Sequence, residues 1–316
     1  MQEDYSNIRS DGSLVYLRTN TGEWFYYDRR DPLLGRGAMG TVYVGREYGN
    51  HRRLVAIKRL SDSLADNPNA RRRAREEAAL AFRHRNLVEM IGYCEEDPDS
   101  GPLFIVSNLV QGMTIDKYVS LNLGDVHDRP ERIVRCCLPV LDALDYLHSK
   151  NILHMDIKPS NIMVENGNNI RLMDLGIACS SSVISSSNGG LLGTPGFAAP
   201  EQYVDAGQTE LNISRATDIY ELGATIYNLI SGEKPYDDGS TRLAAIPGVK
   251  GPLMDVISTS LEKRQENRYQ SAREFKAALM DAMQSKPKRN TNNWILPVLA
   301  GIAAAIVLLF IITKLN

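Results

Sequence analysis

Two hydrophobic rhythms alternate along this chain. Residues 13–27, SLVYLRTNTGEWFYY, set β-branched and aromatic residues on either side of an Asn-Thr-Gly turn, which predicts a β-hairpin. LLGRGAMGTVYVG and LVAIKRL follow as strands joined by glycine-rich turns, and LFIVSNLV reads as a buried strand. NARRRAREEAALAFRH combines strong helix formers with alternating charge and predicts a helix near residues 69–83. In ERIVRCCLPVLDALDYLHS, residues Ile133, Val140, Leu144 and Leu147 recur at helical spacing. Further helices are predicted at about 215–231, 252–262 and 271–284. Strands gather in the first third and helices in the rest, with no repeats. The expected architecture is therefore α+β, a small β-rich lobe beside a larger helical lobe.

Periodicity gives way to a continuous apolar run near the C-terminal end. WILPVLAGIAAAIVLLFII, Trp294 to Ile312, runs nineteen residues without a charge. As a helix it would extend about 28 Å, close to the hydrocarbon thickness of a bilayer. Core helices rarely lack every polar residue over such a length. Lys286, Lys288 and Arg289 flank its amino-terminal side and only Lys314 lies beyond, so the positive-inside tendency keeps the main body in the cytoplasm. The expectation is a tail-anchored, single-pass protein of the cell membrane, with a basic linker over 285–293 and a transmembrane helix over 294–313. Ala300, Gly301, Ala304 and Ala305 are small enough to let two such helices pack as a homodimer, though lipid-facing filler is the simpler account of them.

Composition narrows the rest. With 316 residues, 43% hydrophobic and 23% charged, the chain can bury one large or two modest cores. A net charge of −2 argues against a nucleic-acid partner. Cys94, Cys136, Cys137 and Cys179 show no CxxC spacing and no nearby histidine cluster, which argues against zinc or a disulfide framework and suits a reducing compartment. The opening MQEDYSNIRSDG is polar and acidic, unlike a signal peptide.

Four separated pieces carry chemistry. Gly35-Arg36-Gly37-Ala38-Met39-Gly40-Thr41-Val42 is a GxGxxGxV run between two strands, where glycines let backbone amides approach phosphate oxygens. Alone it is also a plain hairpin turn. Val55-Ala56-Ile57-Lys58 would place one cation beneath that turn. Asp156 followed by Asn161, then Asp174 after a short hairpin, supplies three oxygen ligands or acceptors. Hard cations such as Mg²⁺ take carboxylate and carbonyl oxygens together with substrate phosphates. A single aspartate is usually a turn or capping residue; four pieces in this order are not.

These pieces, with HMDIKPSN, DLG in place of DFG, GTPGFAAPE, TDIYELG and RQENRYQSAREF, resemble the eukaryotic-type (Hanks-type) protein kinase family, specifically its bacterial serine/threonine branch, from about Leu33 to Met280. The resemblance implies a bilobal kinase fold over 31–284, with an N-lobe at 31–108 and a C-lobe at 109–284, behind an extension at 1–30. It implies ATP and Mg²⁺ as cofactors and protein serine or threonine hydroxyls as substrates. ATP would lie against Leu34 to Gly40, Val42 and Ala56, with adenine at a hinge from Asn108 to Val110 and Ser107 guarding the back pocket. Lys58 would contact the α and β phosphates and pair with a helix glutamate, Glu76 or Glu77. Glu76 is preferred, because Leu80 then falls one turn later on the inward face. Asp156 would orient the substrate hydroxyl and accept its proton, Lys158 would steady the γ-phosphate, and Asn161 and Asp174 would hold the metal. Thr194 would sit in the peptide-docking turn, Glu201 would form a structural bridge to Arg268, and Asp218 would brace the catalytic loop. His154 would be a packing residue rather than an acid or base.

Three departures stand out. Met155 occupies the position where most relatives carry an arginine that pairs with a phosphate on the activation segment. Leu175 replaces the phenylalanine of DFG. The stretch between Tyr236 and Leu253 is short for the family, so a docking helix is expected to be truncated there. The rivals are a pseudokinase scaffold at the membrane, opposed by the presence of Lys58, Asp156, Asn161 and Asp174, and a small-molecule kinase, opposed by the peptide-docking segment GTPGFAAPE. Because methionine cannot bind a phosphate, replacing every serine from Ser180 to Ser187 with alanine should leave basal phosphate incorporation within a fewfold of the original. A collapse of incorporation in that variant would show that activation-segment phosphorylation is needed.

Overall fold

The computed structural model describes residues 6–37, 39–124, 128–166, 169–174, 179–180, 190–191, 193–204, 212–235, 249 and 251–284. Ala38, Leu175, the serines from Ser181 to Ser187, most of the stretch between Tyr236 and Leu253, the basic linker and the apolar span over 294–313 lie outside the described residues. Among the described residues no helix is long and apolar enough to cross a membrane.

The first part of the chain builds one antiparallel sheet. Its strands are β1 (Ile8–Asp11), β2 (Leu14–Arg18), β3 (Trp24–Asp28), β4 (Gly35–Gly37), β5 (Gly40–Glu47), β6 (Asn50–Leu60), β7 (Met90–Cys94) and β8 (Phe104–Asn108). The spatial order is β1-β2-β3-β5-β6-β8-β7, with β4 paired to the start of β5. The hairpin read over 13–27 is the β2–β3 pair, closed by Thr19 and Gly22 around the Asn-Thr-Gly turn. It does not stand apart as an extension: Phe25 and Tyr26 of β3 pair with Glu47 and Arg46 of β5, so residues 8–28 belong to the same sheet as the glycine-rich hairpin.

Alternation along these strands divides the apolar residues between two faces, because successive side chains point to opposite sides. Val15, Leu17, Phe25, Tyr27, Val55, Ile57, Phe104 and Val106 form one core with Cys94. Leu60, Leu103 and Ile105 face the other way, against Ala65 of α1 (Asp62–Ala65) and Ala74 and Ala78 of α2 (Pro68–Ala79). The sheet curls far enough for the turn after β2 to meet β7, where the Asn20 amide donates to the Tyr93 carbonyl at 2.8 Å.

Helix α2 stops earlier than its composition predicts. Asn67 caps its start, accepting from the amides of Asn69 and Ala70 at 3.0 and 3.1 Å. Leu80 already has extended backbone, φ −74° and ψ 93°. Past it, Phe82 packs edge-on against Tyr146, with ring centroids 5.8 Å apart. Tertiary packing of one aromatic ring outweighs the helix propensity of 80–83.

The helical lobe comprises β9 (Gly112–Thr114), α3 (Ile115–Asn122), α4 (Arg129–Ser149), β10 (Ile152–Leu153), β11 (Ile162–Glu165), β12 (Ile170–Leu172), α5 (Arg215–Ser231), α6 (Pro252–Ser260) and α7 (Ala272–Gln284). Ile133, Val140, Leu144 and Leu147 of α4 are fully buried, as their spacing predicts. Helix α5 is capped by Ser214, ends on Gly232 at φ +81°, and is buried at every position from Ala216 to Tyr227. An all-buried helix is the centre of a lobe rather than one of its sides.

If β2 and β3 are integral to the upper lobe, Leu17→Ala should lower the unfolding free energy by about 3 kcal/mol in a urea titration. A loss below about 0.5 kcal/mol would mean that these strands fold apart from the lobe.

Candidate active site

The glycine-rich hairpin and the lysine strand are adjacent because β5 pairs along β6, with Val42 opposite Lys58. The third glycine of the run has a structural cause: Gly40 takes φ +141°, and a Cβ there would lie 2.1 Å from the Arg59 carbonyl oxygen. Around Gly35 and Gly37 a Cβ would meet nothing within 4 Å. Packing does not demand those two glycines, and the space beside them is open. Leu34 and Met39 are exposed beside them, and Arg36 lies on β4. Ala56 pairs with Ser107, and Asn108 follows at the end of β8, its Nδ2 bonded to Glu89 Oε2 at 2.9 Å. Val110, next along the chain, is half-buried.

Lys58 Nζ stands 3.4 Å from Asp174 Oδ1, an ion pair across the junction between the lobes. Burial pulls the ammonium down, but Asp174 and then Glu77 outweigh it, and the net effect holds Lys58 above its ordinary value. Of the two helix glutamates, Glu77 and not Glu76 acts electrostatically on the lysine, whose ion pair is with Asp174. Glu77 is buried on α2 with Arg71, Ala74 and Ala78, whereas Glu76 is 58% exposed in its side chain and pairs with Arg72 at 2.8 Å. The choice of Glu76 rested on Leu80 continuing the helix, and Leu80 lies beyond its end. Burial drives the Glu77 carboxyl up to about 8, with Lys58 lowering it and Asp174 raising it.

The residues of the HMDIKPSN stretch sit between β10 and β11 over α5. Asp156 Oδ2 accepts from Lys158 Nζ at 2.7 Å and from Asn161 Nδ2 at 3.1 Å, and Oδ1 accepts from Thr194 Oγ1 at 2.6 Å. Lys158 Nζ also reaches Thr194 Oγ1 at 2.7 Å. Thr194 therefore touches the acidic centre itself. Asn161 further donates from Nδ2 to the Asp156 carbonyl at 2.8 Å, which leaves its Oδ1 as the atom suited to a cation. Met155 and Asp174 hold left-handed backbone, φ +64° and +51°, a conformation that aspartate tolerates but that is costly for methionine.

Side chains beneath hold that conformation. Asp218, with no solvent exposure, accepts the amides of His154 at 3.0 Å and Met155 at 2.9 Å, and its Oδ2 meets His148 Nε2 at 2.7 Å. Burial alone would raise this carboxyl; the His148 hydrogen bond and charge reverse that and keep it low. Glu221 accepts the Ile157 amide at 2.9 Å, and Gln202 bridges Glu221 and the Met155 carbonyl at 2.9 and 3.2 Å. His154 is fully buried, bonded through Nε2 to the Met173 carbonyl at 3.0 Å and pushed down by burial, which fits packing rather than proton transfer. Arg268 grips Glu201 in a two-pronged pair at 2.7 and 2.9 Å, adds the Ala216 carbonyl at 3.1 Å, and stacks 4.8 Å from the Tyr220 ring centre.

Sequence reading missed His148, Gln202 and Glu221. Glu221 could have been found, since it lies three residues after Asp218 on the same helix face. Nothing local marks His148 or Gln202. For a metal, no group of three or more His, Cys, Asp or Glu side chains converges among the described residues. Asn161 and Asp174 instead offer the sparse oxygen set that Mg²⁺ takes when phosphates complete its shell.

Glu77 generates a test with a definite sign. The folded state holds its proton up to about pH 8, whereas an unfolded glutamate releases it near 4.3. Its contribution to stability is therefore fully present below that lower value and lost as pH rises through about 8. Urea midpoints between about pH 6 and 9 should fall less steeply in Glu77→Gln than in the parent.

The chain matches the protein kinase domain family over residues 29–295. Serine/threonine-protein kinase PknB of Mycobacterium leprae is 31% identical over 274 residues, covering 81% of this chain and 43% of that protein. PrkC of Bacillus subtilis is 30% identical over 271 residues, covering 80% and 40%. The chain thus spans about two fifths of the length of these curated relatives. In shape it is similar to the PknI kinase domain of Mycobacterium tuberculosis, with a TM-score of 0.63 and 25% identity over 88% of this chain and 98% of that one. With the match beginning just after β3 and running past α7, the chain belongs to the eukaryotic-type protein kinase family, in its bacterial serine/threonine branch.

Proposed function

We propose that this chain transfers the γ-phosphoryl group of ATP, with Mg²⁺, to serine and threonine hydroxyls of proteins. The observation that carries the reading is the Asp156 carboxylate, shared by Lys158, Asn161 and Thr194 and facing the Lys58–Asp174 pair. Asp156 Oδ1 takes its hydrogen bond from Thr194 and retains a lone pair for the proton of an incoming hydroxyl. Lys158 steadies the transferred group, and Lys58, kept charged by Asp174, holds the remaining phosphates. Asn161 and Asp174 would hold the metal, which together with the triphosphate supplies charge neutralisation and the group to be moved. Leu34, the glycine-rich turn, Val42 and Ala56 form the roof over the nucleotide, with Asn108 and Val110 at its adenine end.

Control differs from kinases that carry arginine before the catalytic aspartate. Met155 is fully buried, and both its amide and its carbonyl are held by the protein itself. A phosphate on the activation segment would find no cation there. The apolar stretch over 294–313, with basic residues before it, anchors the enzyme in the cell membrane with the kinase domain cytoplasmic.

Purified chain with labelled ATP, Mg²⁺ and a serine- and threonine-containing protein should place label on those residues, and Asp156→Ala should lose about a hundredfold or more. Nucleotide retained without turnover would make the chain a pseudokinase scaffold. Label appearing in a metabolite instead would make it a small-molecule kinase.

A further inference from the structure

Helix α2 carries Glu77, and its position decides whether that carboxyl faces Lys58. What holds α2 is unusual. Arg71 is 1% exposed, yet it is a cation in a helix of little apolar surface. Its guanidinium donates to the carbonyls of Pro98 at 2.7 Å, Gly101 at 2.8 Å, Ser100 at 2.9 Å and Ala65 at 3.1 Å, and also to that of Asp97. It pairs with Glu95 at 2.9 Å, and Arg75 reaches the other Glu95 oxygen at 3.1 Å. One face of α2 is thereby fastened to the segment 95–101.

That segment, EEDPDSG, has almost no core of its own, being exposed from Glu96 to Gly101. It must be held from elsewhere to serve as an anchor. The holding comes from residues that flank the first two strands and precede the family match, which begins at residue 29. Asn7 donates to the Glu95 carbonyl at 3.1 Å, and the Asn7 carbonyl accepts from Cys94 Sγ at 3.4 Å. The Asn20 amide donates to the Tyr93 carbonyl, and the Tyr93 amide donates to Asn20 Oδ1, both at 2.8 Å. A Cβ on Gly92 would lie 2.4 Å from that Oδ1, so a bare backbone lets Asn20 approach.

We infer that Asn7, just before β1, and Asn20, in the turn after β2, with Arg71 of α2, are positioning residues that act through residues 93–101 to keep Glu77 facing Lys58. The route is continuous: Asn7 and Asn20 fix the backbone of 93–95, the Glu95 carboxylate and the carbonyls of the residues that follow, 97–101, hold Arg71, and Arg71 sets the phase of α2. Arginine is needed because five donors in a rigid fork match several carbonyls at once, which a lysine cannot do. Control absent at Met155 is thereby placed at the opposite edge of the upper lobe. The activity part of the test rests on the kinase reading; the exchange part does not.

The experiment uses the full chain, comparing Asn7→Ala/Asn20→Ala, Asn20→Asp and Gly92→Ala by amide hydrogen exchange and by KM for ATP. The double variant should speed exchange of the α2 amides about tenfold while the remaining upper-lobe strands keep their protection. It should raise KM for ATP severalfold and leave KM for the protein substrate unchanged. Asn20→Asp keeps the acceptor oxygen for Tyr93 and should restore both readouts, whereas Gly92→Ala, which displaces Asn20 from the other side, should reproduce the defect. Parent-like α2 exchange in both the double variant and Gly92→Ala would overturn the inference. So would a loss of protection spread evenly over the whole lobe, which would make the contacts general support. An enzyme without turnover would defeat the kinase reading and leave the exchange comparison intact.

Discussion

A charged carboxylate in a place with no water dictates much of this structure. Asp218 survives there only because three donors converge on it, two of them backbone amides of the loop that carries Asp156. The dependence runs both ways. Without the loop in its bent path Asp218 would be an uncompensated buried charge, and without Asp218 the left-handed turn at Met155 would lose its hold. One helical turn later on α5, Glu221 resolves the same problem differently. Burial, then the nearby charge of Asp218, push it well above the usual carboxylate range. Two acidic groups so close in so dry a region are driven apart in their titration, one held low and the other held high.

The two lobes meet this demand with different materials. The lower one wraps α5 in apolar side chains and lets that helix offer Asp218, Glu221 and Thr225 upward, the last donating to the Ile157 carbonyl at 3.1 Å. The upper one is a curled sheet whose lysine is held by charge rather than by backbone contacts. The lower half of the site is thus fixed by hydrogen bonds within one core, while the upper half depends on where α2 lies.

Much of this was legible in the sequence, for identifiable reasons. Alternation and helical spacing are strong where one face is buried, and α4 and the β2–β3 hairpin followed them closely. Motif spacing located Lys58, Asp156, Asn161 and Asp174, because their chemistry requires particular side chains on either side of a short hairpin. Helix α2 resisted for the opposite reason. Its buried positions are Arg71, Ala74, Glu77 and Ala78, so hydrophobicity carries no phase there, and Leu80, the one residue that seemed to supply it, belongs to the next segment. His148 and Gln202 were invisible because their partners lie 70 and 19 residues away. The role of residues 6–28 was hidden too, since a hairpin pattern does not say which sheet it will join.

That last feature bears on how the molecule can be divided. The match to the protein kinase domain family starts at residue 29, and a fragment excised there would look complete on paper. In three dimensions the cut would strip Val15, Leu17, Phe25 and Tyr27 from one wall of a shared core, leaving Val55, Ile57, Phe104 and Val106 bare beside an unpaired strand edge. Exposed apolar sheet with an open edge invites intermolecular pairing, so the natural failing of such a fragment would be aggregation, whatever the state of its catalytic groups.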